Sequence, residues 1–258
     1  MGERNGFPAG TPCWVDVTTT DVEGTKAFYA TLFGWEAATD PSPEAGGYTT
    51  FRLRGKDVAA ASPSPQPDAR RGWKTYIASD LVDATAAKIT EAGGSVLVEP
   101  FDVLDAGRMA FAGDPTGGVF GVWQAGAHKG AQLVNEPGTW NWSELATRDV
   151  ATARAFYSAV FGWASEELTD VPGGYHVQTI DGHRVAGILP ISPEMGNMPT
   201  GWGVYFSVED ADASTAKAQE LGGTVVAEPF DVTVGRTAWL LDPLGTPFQV
   251  IKLAVVPD

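Results

Sequence analysis

The sequence predicts an α+β fold made of tandem βαβββ modules, four in all, and three observations lead there. The chain is written twice: WVDVTTTDVEGTKAFYATLFGW from Trp14 returns as WSELATRDVATARAFYSAVFGW from Trp142. Each half holds a second strand–helix unit, and YIASDLVDATAAK in the first half matches YFSVEDADASTAK in the second. Each half also closes on the same kind of hairpin, DPTGGVFGVWQ or DPLGTPFQVIK. A period this long exceeds that of a solenoid repeat, so the halves are two similar domains. In a chain of 258 residues each half has about 125, a common size for one compact domain. The expected boundaries are a first domain at 1–126, a linker at 127–137 and a second domain at 138–258.

The first module opens with a strand over Cys13–Thr19, rich in β-branched residues and bounded by Pro12 and Asp21. Asp21 is suited to cap a helix, because its carboxylate accepts from the free N–H groups of the first turn. The helix runs Val22–Phe33, with Ala27, Phe28, Thr31 and Leu32 as its expected buried face, and Gly34 ends it. Strands follow near Trp35–Thr39, Tyr48–Leu53 and Val58–Ala61. Ser62–Gly72 reads as a Pro-rich connector. The second module starts with a strand over Trp73–Ser79, then Asp80 as cap and a helix over Val82–Ala92 stopped by Gly93 and Gly94. Its strands lie near Val96–Pro100, Met109–Ala112 and Val119–Trp123, with the Asp114–Gly117 turn between the last two. The second half repeats the plan.

Composition removes several function classes. The net charge is −15, which argues against nucleic acid, whose affinity comes from Lys and Arg on phosphates. It argues equally against anionic membrane surfaces. No apolar run approaches the roughly 18 residues of a membrane span. The start, MGERNGFPAGTP, has no apolar h-region, so a cytoplasmic protein is expected. Cys13 is the only cysteine, so neither an intrachain disulfide nor a CxxC knuckle can form. No GxGxxG, P-loop, HExxH or GxSxG pattern occurs.

The string D-x6-FY-x3-FGW at Asp21–Trp35 and Asp149–Trp163, with the DPTG and DPLG turns before closing apolar strands, resembles the vicinal oxygen chelate superfamily. That superfamily includes glyoxalase I, bleomycin-resistance proteins and extradiol dioxygenases. Within it, the chain is similar to two-domain actinobacterial proteins of glyoxalase-like or hydroxylase-like type. The resemblance covers nearly the whole chain. It implies two cup-shaped mixed sheets, each of two βαβββ modules, with ligand in the concavity. Single-domain relatives pair modules between chains; here all four modules lie in one chain, leaving monomer and homodimer both open.

The resemblance also implies a divalent metal held by strand residues, and here the pattern breaks. The opening-strand His of the family corresponds to Trp14 and Trp142. The next module's ligand falls at Trp73 or Lys74, and at Trp202 or Gly203. The closing-strand Glu corresponds to Gly121 and Gln249, and the remaining position falls near Ala59–Ala61 and Gly187–Leu189. A catalytic metal needs about three His, Asp, Glu or Cys ligands, and an indole nitrogen only donates. No metal and no cofactor are therefore expected. His128, His176 and His183 miss every ligand position.

Strand side chains alternate, so Trp14 shares a face with Asp16, and Trp142 with Glu144. Each cup would then offer an indole wall and one acid. Trp filling the volume of a lost metal site is the competing reading. Asp16 and Glu144 are the candidate catalytic residues. Trp14, Trp73, Trp123, Trp142, Trp202 and Gln249 are the candidate ligand contacts, with Gly121 leaving space beside Trp123. Tyr76 and Tyr205 read as core, and the Arg108–Asp102 and Arg236–Asp231 pairs as loop supports. The expected function is metal-independent binding of a hydrophobic or aromatic small molecule, such as an antibiotic- or polyketide-like metabolite, for sequestration or resistance. The alternative is a hydroxylase, lyase, isomerase or dioxygenase of the same superfamily acting on a small organic substrate.

Overall fold

The computed structural model describes residues 2–64, 72–168 and 174–254. Most of the connector expected at Ser62–Gly72, residues 65–71, lies outside them. The first half contains β1 (Pro12–Thr19), α1 (Val22–Phe33), β2 (Glu36–Thr39), β3 (Thr49–Leu53) and β4 (Lys56–Pro63). It continues with β5 (Gly72–Ala78), α2 (Val82–Glu91), β6 (Ser95–Val103), β7 (Gly107–Gly113) and β8 (Val119–Ala125). The second half repeats this with β9 (Trp140–Thr147), α3 (Val150–Phe161), β10 (Ala164–Leu168), β11 (Tyr175–Ile180) and β12 (His183–Pro190). Then come β13 (Gly201–Ser207), α4 (Ala211–Glu220), β14 (Thr224–Val232), β15 (Gly235–Leu241) and β16 (Pro247–Leu253). The two sheets are open and eight-stranded, in the orders β2-β3-β4-β1-β5-β8-β7-β6 and β10-β11-β12-β9-β13-β16-β15-β14. The predicted α+β fold of tandem βαβββ modules is the observed one.

Pairing puts the opening strands at the centre. β1 runs parallel to β4 and antiparallel to β5, and β5 runs parallel to β8. Side chains of β1 are buried on both faces. Val15, Val17 and Trp73 face the helices, whereas Trp14, Asp16, Lys74 and Tyr76 share the opposite, helix-free face, as the register pairs Asp16 with Lys74 and Trp14 with Tyr76.

The helix-bearing faces of the two sheets pack against each other. Thr75 and Ser143 hydroxyls meet at 2.7 Å between β5 and β9. Tyr29 of α1 donates to Asp242 in the second half at 3.2 Å, and Tyr157 of α3 donates to Asp114 in the first at 2.8 Å. The cups therefore open on opposite outer faces. This packing corrects the expected face of α1: Thr25, Phe28, Tyr29 and Phe33 are buried, while Ala27 and Thr31 are exposed. The second half, through Phe206 and Phe248, supplies a partner surface that periodicity within the helix does not show.

Asp21 and Asp149 cap their helices as expected, accepting from Gly24 N–H and Thr152 N–H. Asp80 does not cap α2. There the Ser79 hydroxyl accepts from Leu81 N–H and the Gln124 side chain from Val82 N–H, so the first turn is already satisfied. Among the described residues no helix is long and apolar enough to cross a membrane.

Candidate functional site

Asp16 sits at the bottom of the first cup, only 3% exposed. It accepts from Tyr76 at 2.7 Å and Tyr48 at 3.4 Å, and Lys74 forms an ion pair with it at 3.2 Å. Trp14 donates its indole N–H to the Tyr48 hydroxyl at 2.9 Å. Lys74 also bonds Thr18 and lies over the Phe111 ring. Burial and the neighbouring Asp16 charge push the Tyr48 and Tyr76 phenols up, so both stay protonated and donate. The carboxylate is thus fully served by its own protein.

This cup is also filled. The position beside Trp123 that Gly121 was expected to leave open is taken by the Tyr76 ring, into which a Cβ on Gly121 would project. His128, just after β8, packs edge-on against Trp14 at 4.5 Å and Trp123 at 5.6 Å, and its carbonyl accepts from the Trp123 indole. Trp14 is 4% exposed. In the first half, the indoles, Tyr76 and His128 therefore pack together on the face where the family resemblance implied a ligand.

The second cup has the same frame and a different interior. Trp142 donates to the Tyr175 hydroxyl at 2.9 Å, as Trp14 does to Tyr48. Tyr205 donates to Glu144 at 3.1 Å, and Tyr175 hydrogen-bonds the same carboxyl group. Register pairs Glu144 with Gly203, where the first cup has Lys74 opposite Asp16. Among the described residues no ion pair reaches Glu144, and burial pushes its carboxyl up to about 6 against the two phenol hydrogen bonds. Gln249 lies beside Tyr205 in register, with Trp239 next to it on β15. Among the described residues no group donates to the buried Gln249 Oε1. Trp142, Tyr175 and Trp239 are partly exposed, whereas Trp14 is not.

Trp73 and Trp202 stand apart from this arrangement. They point to the helix side and donate to Tyr29 and Tyr157 at 2.9 and 3.0 Å, inside the core between the sheets. Their strand register puts Lys74 and Gly203, not the indoles, on the cup faces. Tyr76 and Tyr205 are buried, as expected, and their hydroxyls donate to the two acids. Tyr48 and Tyr175 complete the sites. The repeated GGY strand starts and mid-strand tyrosines were the sequence signal for all four. Arg108 and Arg236 each grip an aspartate of the neighbouring helix, Asp83 or Asp212, besides Asp102 or Asp231, and support the hairpin.

A divalent metal does not fit either cup. The indole N–H groups at the family's His positions are donors engaged with tyrosines. The first cup offers one carboxylate already paired with a cation. The second offers Glu144 and an amide. Among the described residues no three His, Cys, Asp or Glu side chains gather as a metal site. Two surface clefts, one beside α1 and the Asp242–Leu244 turn and one beside α3, lie outside both cups.

Comparison with known proteins agrees with this architecture. Residues 13–122 match the family model of the glyoxalase/bleomycin resistance protein/dioxygenase superfamily, and residues 130–251 match a glyoxalase-like domain. The chain belongs to this superfamily. CFP32 of Mycobacterium tuberculosis, which carries the provisional name glyoxylase, is 46% identical over 98% of this chain and 99% of its own length. The anthracycline biosynthesis protein DnrV of Streptomyces peucetius is 40% identical, covering 96% of this chain and 94% of its own. Among solved structures, 2,2',3-trihydroxybiphenyl 1,2-dioxygenase of Sphingomonas wittichii superposes with a TM-score of 0.66 at 14% identity, covering 95% of this chain and 91% of that one. The Mn(II)-bound glyoxalase of Novosphingobium aromaticivorans gives 0.64 at 19%, covering 100% and 87%. At these identities the two structures share the fold alone.

Proposed function

We propose that the second cup binds a planar aromatic small molecule without a metal, and that the first cup is a structural counterpart. The observation that carries this reading is the contrast between two sites on one frame. The first is closed by His128, Trp123 and the Lys74–Asp16 pair. The second presents a partly exposed Trp142, two tyrosines and an acid with no cationic partner among the described residues. Flat aromatic walls with few placed polar groups suit small-molecule recognition. Phe230, exposed and edge-on to Trp239, extends the wall outward. The anthracycline biosynthesis relatives support a polycyclic aromatic as the ligand class. Titration with polycyclic aromatics should quench tryptophan fluorescence with one site per chain and leave metal-free protein fully competent. No quenching across anthracenes, anthraquinones and naphthoquinones would end this reading.

A catalytic reading draws on Glu144. A buried carboxyl with a value of about 6 is placed to exchange a proton near neutral pH. Glu144 would take a proton from a ligand carbon beside a carbonyl, the C–H electron pair passing through the new C=C bond to the carbonyl oxygen as an enolate. Deuterium exchange into the bound ligand, lost in Glu144→Gln, would support it; no exchange in wild type would leave binding alone.

A further inference from the structure

The two cups share one frame, and one of their differences falls directly opposite the acid. In the first, Lys74 stands opposite Asp16 and supplies the ammonium its carboxylate needs. In the second, Gly203 stands opposite Glu144, and the acid keeps its two phenol donors but has no lysine. A Cβ placed on Gly203 would first meet the Gln249 amide, at 3.3 Å, the movable end of a side chain that must shift slightly to admit it. The Gln249 Oε1 that borders this position has no donor among the described residues. Two acceptors thus face the position that the lysine arm occupies in the other half. Around them stand Trp142, Tyr175, Tyr205 and Trp239, aromatic surfaces that favour a cation.

We infer that the second cup selects ligands carrying a protonated amine, whose ammonium takes the place opposite Glu144 that Lys74 takes opposite Asp16. The ligand class is an aromatic ring system bearing a basic aminoalkyl group. The inference rests on the second cup being the ligand site and adds the charge of its ligand. An ammonium provides three N–H donors, enough for the Glu144 carboxylate and Gln249 Oε1 together. The buried acid, costly when ionised alone, then gains the counter-charge that its own strand neighbour lacks.

The test is a matched pair of probes, 9-(aminomethyl)anthracene, protonated at pH 7.5, and 9-anthracenemethanol, its neutral isostere. Both are titrated against full-length protein by tryptophan quenching. Wild type should bind the amine at least about tenfold more tightly than the alcohol. Glu144→Gln should remove that preference while alcohol binding persists. Gly203→Lys, which tethers an ammonium as in the first cup, should abolish amine binding. Equal affinity of wild type for the two probes would overturn the ammonium inference and leave the cup reading standing. Binding of neither probe would overturn both. Because the decisive comparison is made on wild type, it does not depend on either variant folding.

Discussion

Glu144 carries a buried charge whose cost appears as pH dependence. Its folded value of about 6 lies above the ordinary 4.5. Below pH 4.5 the group is protonated whether the chain is folded or not, and it contributes no penalty. As pH rises through 6 the folded chain must ionise it in a dry site, so stability falls across that window. The loss is about 2 kcal/mol above the window. The groups facing it are the Tyr175 and Tyr205 phenols from β11 and β13, both held protonated by burial and by Glu144 itself. Thermal melts should therefore show Glu144→Gln gaining on wild type between pH 4 and pH 8; parallel curves would refute the assignment. In the first cup the logic reverses. Lys74→Met strips a buried carboxylate of its cation and should cost about 3 kcal/mol in urea melts, whereas an unchanged midpoint would show the pair to be unimportant. Strand alternation from Trp14 and Trp142 was enough to place Asp16 and Glu144 on one face with the indoles. The tyrosines that serve those acids were not readable as such. Tyr48 and Tyr175 reach the acids from β3's approach and β11, on the far side of β4 and β12, and only sheet order brings them together.

The elements show the same division between local and distant information. Helix α1 was legible to its last residue because Asp21 and Gly34 mark its ends in the sequence. Its buried face was not, since Phe206 and Phe248 of the other half decide it. A one-residue register question on β5 and β13 changed the site: Trp73 and Trp202 turned inward, and Lys74 and Gly203 took the cup face. The glycines on the cup strands are consequently not equivalent. A methyl on Gly121 would enter the Tyr76 ring, and one on Gly187 would enter the Tyr175 phenol, but one on Gly203 meets a movable amide. Gly121→Ala and Gly187→Ala should each lose about 1–3 kcal/mol by overpacking, and Gly203→Ala should stay near wild type in denaturant melts. If Gly203→Ala proved the most damaging of the three, the described packing of the second cup would be wrong.

At the scale of the molecule, the halves are tied by reciprocal contacts. Tyr29 reaches Asp242, Tyr157 reaches Asp114, Trp35 donates to the Gly138 carbonyl and Trp163 to the Gly10 carbonyl. Each contact crosses from one half to the other and is matched by its mirror. Such a shared core predicts one calorimetric unfolding transition for the whole chain; two resolved transitions would show the halves to be independent. The repeat made this pseudo-symmetry visible in the sequence. Its breaking, a lysine against a glycine and His128 after β8, gained meaning only once both cups were seen. The measurement that tests the account most directly is fluorescence titration of chelator-treated protein with 9-anthracenemethanol, run beside Trp142→Ala and Trp14→Ala. One site per chain is expected in the absence of metal, weakened about tenfold by Trp142→Ala and unaffected by Trp14→Ala. Binding that returns only on adding a divalent metal, or that follows Trp14 in place of Trp142, would contradict it.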